Sequence, residues 1–492
     1  MKTRYYISLI YSIMLWSCGS ENMDTSEQYR PKYHFTPDSA WMNDPNGLVY
    51  FDQEFHLFYQ YHPHSTVWGP MHWGHAVSDD LINWKRLPIA LYPDDLGYIF
   101  SGSAVIDYKN TTGFGTEDIP AMVAIFTHHD PKGEEAGNID FQYQSLAYSL
   151  DKGRTWTKYS ANPVLKNPGI KDFRDPKVFW YEAEQNWRMI LAVKDRVYIY
   201  SSPDLKKWAF LSEFGAIIGA QAGVWECPDL FPLMLHGEDE TTKWVMLVSI
   251  NPGGPQGGSA TQYFIGDFDG VTFTPQDEET RWVDFGADNY AGVTFNDLHP
   301  LDNRRLFIGW MSNWQYARVV PTNQYRSAMT IPRELKLRKM QDKFLLLSKP
   351  TNEMSLTHWS MVEMPYSNLD SSTLYIRFTD FTKEFDVIFE NDSTKERLTI
   401  SLTKDSISID RRYAGMSDFH EAFAAVHKAP LMDTTNTLIE LFFDRSSVEL
   451  FIDNGEVVLT DLLFPTAPYN RYTIQNGIVR GKKMAPMIET IK

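Results

Sequence analysis

Cysteine is almost absent: Cys18 and Cys227 are the only two in 492 residues. Two thiols cannot build a disulfide framework, and no Cys/His spacing suited to zinc occurs. Positive charge is also short. The formal net charge is -17 with a pI near 5.2, which speaks against nucleic acid or an anionic membrane surface as partner. A neutral substrate suits such a surface better. Long stretches with a 3.6-residue apolar period are nearly missing from Tyr33 to Leu337, so a helical body is not expected. The glycine-rich run from Asn251 to Tyr263 lacks the lysine of a phosphate loop and reads as a loop at a pocket mouth. Nothing in the sequence calls for a cofactor, and no ligand cluster demands a metal.

What is present points to a large β protein. The length favours two domains, and 43% hydrophobic with 22% charged residues is globular rather than disordered. Aromatics reach 14%, which suits strands and also a protein that stacks sugar rings. At the start, Lys2 and Arg4 precede a short apolar stretch, Tyr6 to Trp16, and then Leu15-Trp16-Ser17-Cys18-Gly19. The apolar stretch is too short to span a membrane as a helix, so residues 1–17 read as an export signal. The last five residues resemble a bacterial lipobox, with Cys18 as the lipidated first residue of the mature chain and its only link to a membrane. An ordinary cleaved signal with an incidental cysteine is the alternative. Residues 18–33 are polar and read as a tether.

From there to Leu337, short apolar runs of strand length alternate with turn clusters, for example Phe55–Tyr61, Ala121–Phe126, Arg188–Val193 and Trp244–Ser249. A repeat runs through them. Ser78-Asp79-Asp80-Leu81-Ile82-Asn83-Trp84 matches Ser202-Pro203-Asp204-Leu205-Lys206-Lys207-Trp208 position for position, and Ser149 to Trp156 repeats it with one extra residue. Each unit reads as a strand ending in Ser, an Asp-led turn and a strand opening with Trp. Recurrence at blade-like spacing indicates a β-propeller over residues 34–337. Residues 338–358 read as a linker. Residues 359–492 read as a β-sandwich, because apolar and polar residues alternate from Leu374 onward. Asp444 and Glu449 within it are expected to be solvated strand or turn residues.

The chemistry gathers at three acids. Trp41-Met42-Asn43-Asp44-Pro45-Asn46-Gly47 sets a carboxylate before proline, which biases Asp44 toward extended backbone, and Asn46-Gly47 is turn chemistry tolerant of positive φ. Phe173-Arg174-Asp175-Pro176 repeats the acid-proline arrangement, and Trp225-Glu226-Cys227-Pro228-Asp229 varies it. In a propeller the innermost strands start on one face, so acids from different blades can meet there. Glycoside cleavage commonly needs an ionised and a protonated carboxyl, and clustered acids push each other toward protonation. Glu226, between Trp225 and Cys227, is the candidate acid. Asn43 and Arg174 are expected to keep Asp44 and Asp175 ionised.

Together the three motifs resemble glycoside hydrolase family 32, the family of invertases, inulinases and levanases, over nearly the whole chain from Tyr33. The resemblance implies a five-bladed β-propeller followed by a β-sandwich. It implies Asp44 as nucleophile at the anomeric C2 of fructose, Glu226 as acid and then base, and Asp175 as transition-state stabiliser beside Arg174. Configuration would be retained, with the Asp44 and Glu226 carboxyls about 5–5.5 Å apart. It further implies Trp41, Asn43, Gln60, Trp68, Phe100, Ser101, Tyr290 and Trp310 around the fructose ring, and fructan or sucrose as the partner molecule. Fructosyl transfer from the same site, a glycan-binding propeller without catalysis, and an inverting five-bladed propeller acting on arabinan are the alternatives. Hydrolysis should follow a bell-shaped pH profile with its optimum below neutrality.

Overall fold

The computed structural model describes residues 25–235, 241–298, 302–356, 362–363, 373–431, 438–479 and 482–486. The expected export signal, Cys18 and the first part of the expected tether lie outside them. Among the described residues no helix is long and apolar enough to cross a membrane.

Five antiparallel sheets follow one another in the chain. Their innermost strands are Ala40–Phe51, Tyr98–Asp107, Phe173–Tyr181, Val224–Leu235 and Tyr290–Thr294. Each packs against the next, and the fifth packs against the first, so the ring closes. A short strand, Tyr325–Arg326, adds in parallel to Ala40 and Trp41 and ties blade five to blade one. Ala121–His129, the second strand of blade two, is buried at every position. That explains its uninterrupted apolar character, since blades cover both of its faces.

The repeat marks the turn from third to fourth strand in blades one to three. Ser78, Ser149 and Ser202 end third strands. Asp80 accepts from the backbone N–H of Ile82 and Asn83 at 2.9 and 2.7 Å. Asp204 accepts from those of Lys206 and Lys207, both at 2.9 Å. The indole N–H of Trp84, Trp156 and Trp208 donates to the carbonyl three residues earlier. Blade four carries a fourth copy in which Phe273 replaces Trp: Asp269 accepts from Val271 and Thr272 at 2.8 and 2.7 Å.

The fifth blade ends later than the sequence suggests. Arg333–Met340 and Lys343–Pro350 pair residue by residue as its outer strands. Leu335, Leu337 and Leu346 pack there against Phe231, Leu233, Val245 and Leu247 of blade four. The expected linker at 338–358 therefore begins inside a sheet. Beyond it, a six-stranded and a five-stranded sheet face each other. Ile376, Phe389, Leu398, Ile400, Leu441 and Leu450 fill the space between them, each such burial being worth about 1.5–3 kcal/mol.

Two further expectations change. The tether does not stay polar and free to residue 33: Thr25–Tyr29 is a short helix, and Tyr29 and Tyr33 are buried. Asp444 and Glu449 are not solvated either. Both are buried, and His34 bridges them, Nδ1 to Asp444 at 2.9 Å and Nε2 to Glu449 at 2.8 Å. The polar sheet face that carries Glu449 is covered by the propeller, as its bonds to Arg333 and to the N–H of Ile331 show.

Candidate active site

All five innermost strands are irregular near their starts. Pairing registers shift between Met42 and Pro45, Ile99 and Gly102, Glu226 and Asp229, and Tyr290 and Val293. In blade three Ile190 pairs with Lys177 and Ala192 with Arg174, so the extra residue again falls on the innermost strand, between Arg174 and Lys177. Bulges re-aim side chains, and here they turn residues of five strands toward one end of the ring. Asn46-Gly47 belongs to a second shift of the first strand, between Asn46 and Val49, rather than to a surface turn: Asn46 is fully buried. Gly47 sits at φ +52°, and a Cβ there would meet Phe58 at 2.7 Å. Asp175 and Cys227 adopt φ +64° and +45°, a region costing a non-glycine residue about 1–3 kcal/mol.

The three acids meet around Cys227. Its thiol Sγ lies 3.6 Å from Asp44 Oδ2 and 3.7 Å from Asp175 Oδ2. Its backbone N–H donates to Asp175 Oδ2 at 3.1 Å, and Glu226 precedes it in the chain. Asp44 is held on both oxygens: Asn43 Nδ2 donates to Oδ1 at 2.9 Å and Ser101 Oγ to Oδ2 at 2.7 Å. Gln60 donates to Asn46 Oδ1 at 2.8 Å, and Asn46 Nδ2 donates to the Asp44 carbonyl at 3.2 Å. Glu226 accepts from Arg174 on Oε1, at 2.8 Å from Nη2, and from the Tyr290 hydroxyl on Oε2. Arg174, adjacent to Asp175 in sequence, thus turns toward Glu226 and toward Asp172 at 2.7 Å. Its nearest approach to the Asp175 carboxylate is 3.9 Å.

The electrostatics differ from the sequence expectation. Burial raises the Asp44 carboxyl above its usual range, with the Glu226 charge adding to it. Asp175 is pushed up to about 7, first by burial and then by Glu226 and Asp44, against the opposing pull of Arg174. Asn43 and Arg174 therefore do not suffice to hold these two in the ordinary carboxylate range. Desolvation outweighs one amide and one offset guanidinium.

These residues floor a pocket of about 640 Å³. Of the expected ring, Asn43, Gln60, Trp68, Phe100, Ser101 and Arg174 line it. Trp41, Tyr290 and Trp310 do not. Trp41 and Trp310 are fully buried and form a second layer. The Trp41 indole N–H donates to Asn43 Oδ1 at 2.7 Å, and both rings pack on Trp314, at 5.8 and 4.9 Å. Trp314 is the aromatic that reaches the pocket, together with His129, Phe141 and Gln142 of blade two. His129 stacks on Phe100 at 4.2 Å. Sequence reading missed these four. The signal for Trp314 was its place four residues after Trp310, in the same segment.

Known proteins resemble the chain over most of its length. Residues 34–350 match the glycosyl hydrolases family 32 N-terminal domain, and residues 336–483 match the C-terminal domain of the same family. The chain is 47% identical to a levanase of Bacillus subtilis over 486 residues, covering 93% of this chain and 70% of that protein. It is 40% identical to an extracellular exo-inulinase of Aspergillus niger over 489 residues, covering 89% and 90%. The crystal structure of the exo-inulinase of Aspergillus awamori superimposes with a TM-score of 0.84 at 35% identity, covering 94% of this chain and 99% of that one. The chain belongs to glycoside hydrolase family 32.

Proposed function

We propose that this protein is a retaining β-fructosidase that releases fructose from levan, inulin or sucrose. The observation that carries the reading is the meeting of Asp44, Asp175 and Glu226, from three blades, around Cys227. Asp44, steadied by Asn43 and Ser101, attacks C2 of the fructosyl unit. The C2–O bond to the leaving group breaks as Glu226 gives its proton to the departing oxygen. A covalent fructosyl-Asp44 results. Glu226, now a carboxylate, takes a proton from water, whose oxygen attacks C2 and frees Asp44. Asp175 binds ring hydroxyls that strengthen their hold as positive charge grows at C2. The residues present need no metal for these steps.

Export to the cell envelope is the reading for location. The Lys2–Trp16 leader and Cys18 support export with a lipid anchor on the mature N-terminus.

The test pairs products with stereochemistry. Chromatography of digests of levan, inulin and sucrose should show free fructose, and NMR of the first product should show the β anomer. Asp44→Ala and Glu226→Ala should each lower turnover by at least about 10³-fold with the fold kept. Fructose release near the wild-type rate by either variant, or an inverted first product, would overturn the assignment.

A further inference from the structure

One wall of the pocket is not used by the chemistry above. Past Trp314 it is built by Gln315 and Arg318 of blade five and by His420, which comes from the sandwich. His420 lies between the sandwich strands Ser406–Tyr413 and Val426–Pro430. That segment is fixed to the propeller. Arg411 is fully buried; its Nε donates to the Phe423 carbonyl at 2.7 Å. Its Nη1 reaches Asp288 at 2.6 Å and its Nη2 the Tyr316 hydroxyl at 2.9 Å, both on the propeller. Phe423 meets Tyr316 edge to face at 5.2 Å. The position of His420 at the rim is therefore preorganised rather than left to a loose loop.

Its chemistry fits a neutral polyol. The N–H of Ala422 donates to His420 Nδ1 at 3.2 Å, so in the neutral ring Nε2 carries the proton and is free to donate. Arg318 is exposed, with its guanidinium 5.9 Å from the Trp314 ring. Guanidinium, amide and imidazole N–H groups beside an indole make a surface for sugar hydroxyls and ring faces. The acids, Asn43 and Ser101 already provide for the unit that is cleaved.

Resting on the β-fructosidase reading, we propose that His420, Arg318 and Gln315 form an acceptor-side subsite for the next fructosyl units of a fructan chain, so that the sandwich sets chain-length preference. The experiment compares kcat/KM of His420→Ala and Arg318→Ala on sucrose and on β-linked fructo-oligosaccharides of increasing length. The loss should grow with length, exceeding that on sucrose by roughly three- to ten-fold per hydrogen bond removed, and it should fall mainly on KM. Arg318 is exposed, so its variant keeps the comparison valid if His420→Ala does not fold. A loss equal at every length, or none, overturns the subsite while leaving the β-fructosidase reading standing. A wild-type protein that releases no fructose from any of these substrates overturns both.

Discussion

Cys227 sits between two catalytic-site carboxylates, Asp44 and Asp175. Its side chain is buried against two carboxylates, and burial followed by the Asp175, Asp44 and Glu226 charges holds its thiol well above the usual range. It stays a neutral S–H, able to donate weakly to Asp44 and Asp175 without adding charge. Asp175 beside it shares the positive-φ strain, at +64°, and adds an electrostatic one. Its carboxyl moves from an ordinary 3.8 up to about 7. Between those values the folded state holds a proton that the unfolded chain has lost, so stability falls as pH rises through the window and the deficit persists above it. Asp175→Asn keeps an acceptor for the Cys227 N–H and removes the charge. It should be more stable than wild type at pH 8, by about 0.5–2 kcal/mol, with the gap closing toward pH 4, while turnover collapses. Melting curves at the two pH values check this, and a gap that is absent at pH 8 contradicts it. The acids themselves were legible, because a carboxylate before or near proline is a local signal. The positive φ of Asp175 and Cys227 was not, since that geometry is imposed by bulges formed with partner strands.

Elements carry the next layer. Acids lie near the starts of first strands, whereas the Asp-led turns join third to fourth strands and so fall on the opposite end of the ring. Stability and chemistry are separated by that geometry. Asp204→Ala would strip acceptors from the N–H groups of Lys206 and Lys207, at about 1–3 kcal/mol for two hydrogen bonds. The urea midpoint should drop, and kcat of the folded variant should stay within two-fold of wild type. A large fall in kcat at an unchanged midpoint would show that the two ends are coupled after all. Three copies of the turn were readable because Ser, Asp and Trp recur in the same order, with one extra residue in the Ser149 copy. The blade-four copy escaped because Phe273 stands for Trp and Asp267 for Ser, although Asp269 makes the same bonds. Blade five has only the two-residue link Gln341-Asp342 between its outer strands and offers no motif to find. Its hairpin looked like a linker because its leucines face blade four, which local alternation does not reveal.

At the scale of the molecule, propeller and sandwich are joined by buried charge rather than by apolar surface alone. Arg333 Nη1 meets Asp284 at 2.9 Å and its Nη2 meets Glu449 at 2.6 Å, while Arg411 reaches across to Asp288. His34 closes the network from the N-terminal arm. It faces Asp444 and Glu449, with the Tyr33 ring stacked beside it at 4.7 Å. Period-2 patterning assigned Glu449 to solvent because it identifies the polar face of a sheet and not what covers that face. Burial alone would lower the His34 pKa, yet the hydrogen bonds and charges of Asp444 and Glu449 carry it up to about 9. The folded state therefore binds a proton that the unfolded chain, at 6.5, releases. His34 contributes its stability in full below pH 6.5 and loses it as pH rises through 9. His34→Leu leaves Asp444 with the N–H groups of Lys32 and Tyr33 and Glu449 with Arg333, but it removes the cation between them, at about 3–5 kcal/mol. Wild-type melting temperature should decline between pH 6.5 and 9. The variant should start lower at pH 6.5 and decline less over the same range, because the group that titrates is gone. Parallel curves for the two proteins would mean that His34 is neutral in the fold and that the junction is held by Arg333 and Arg411 without it.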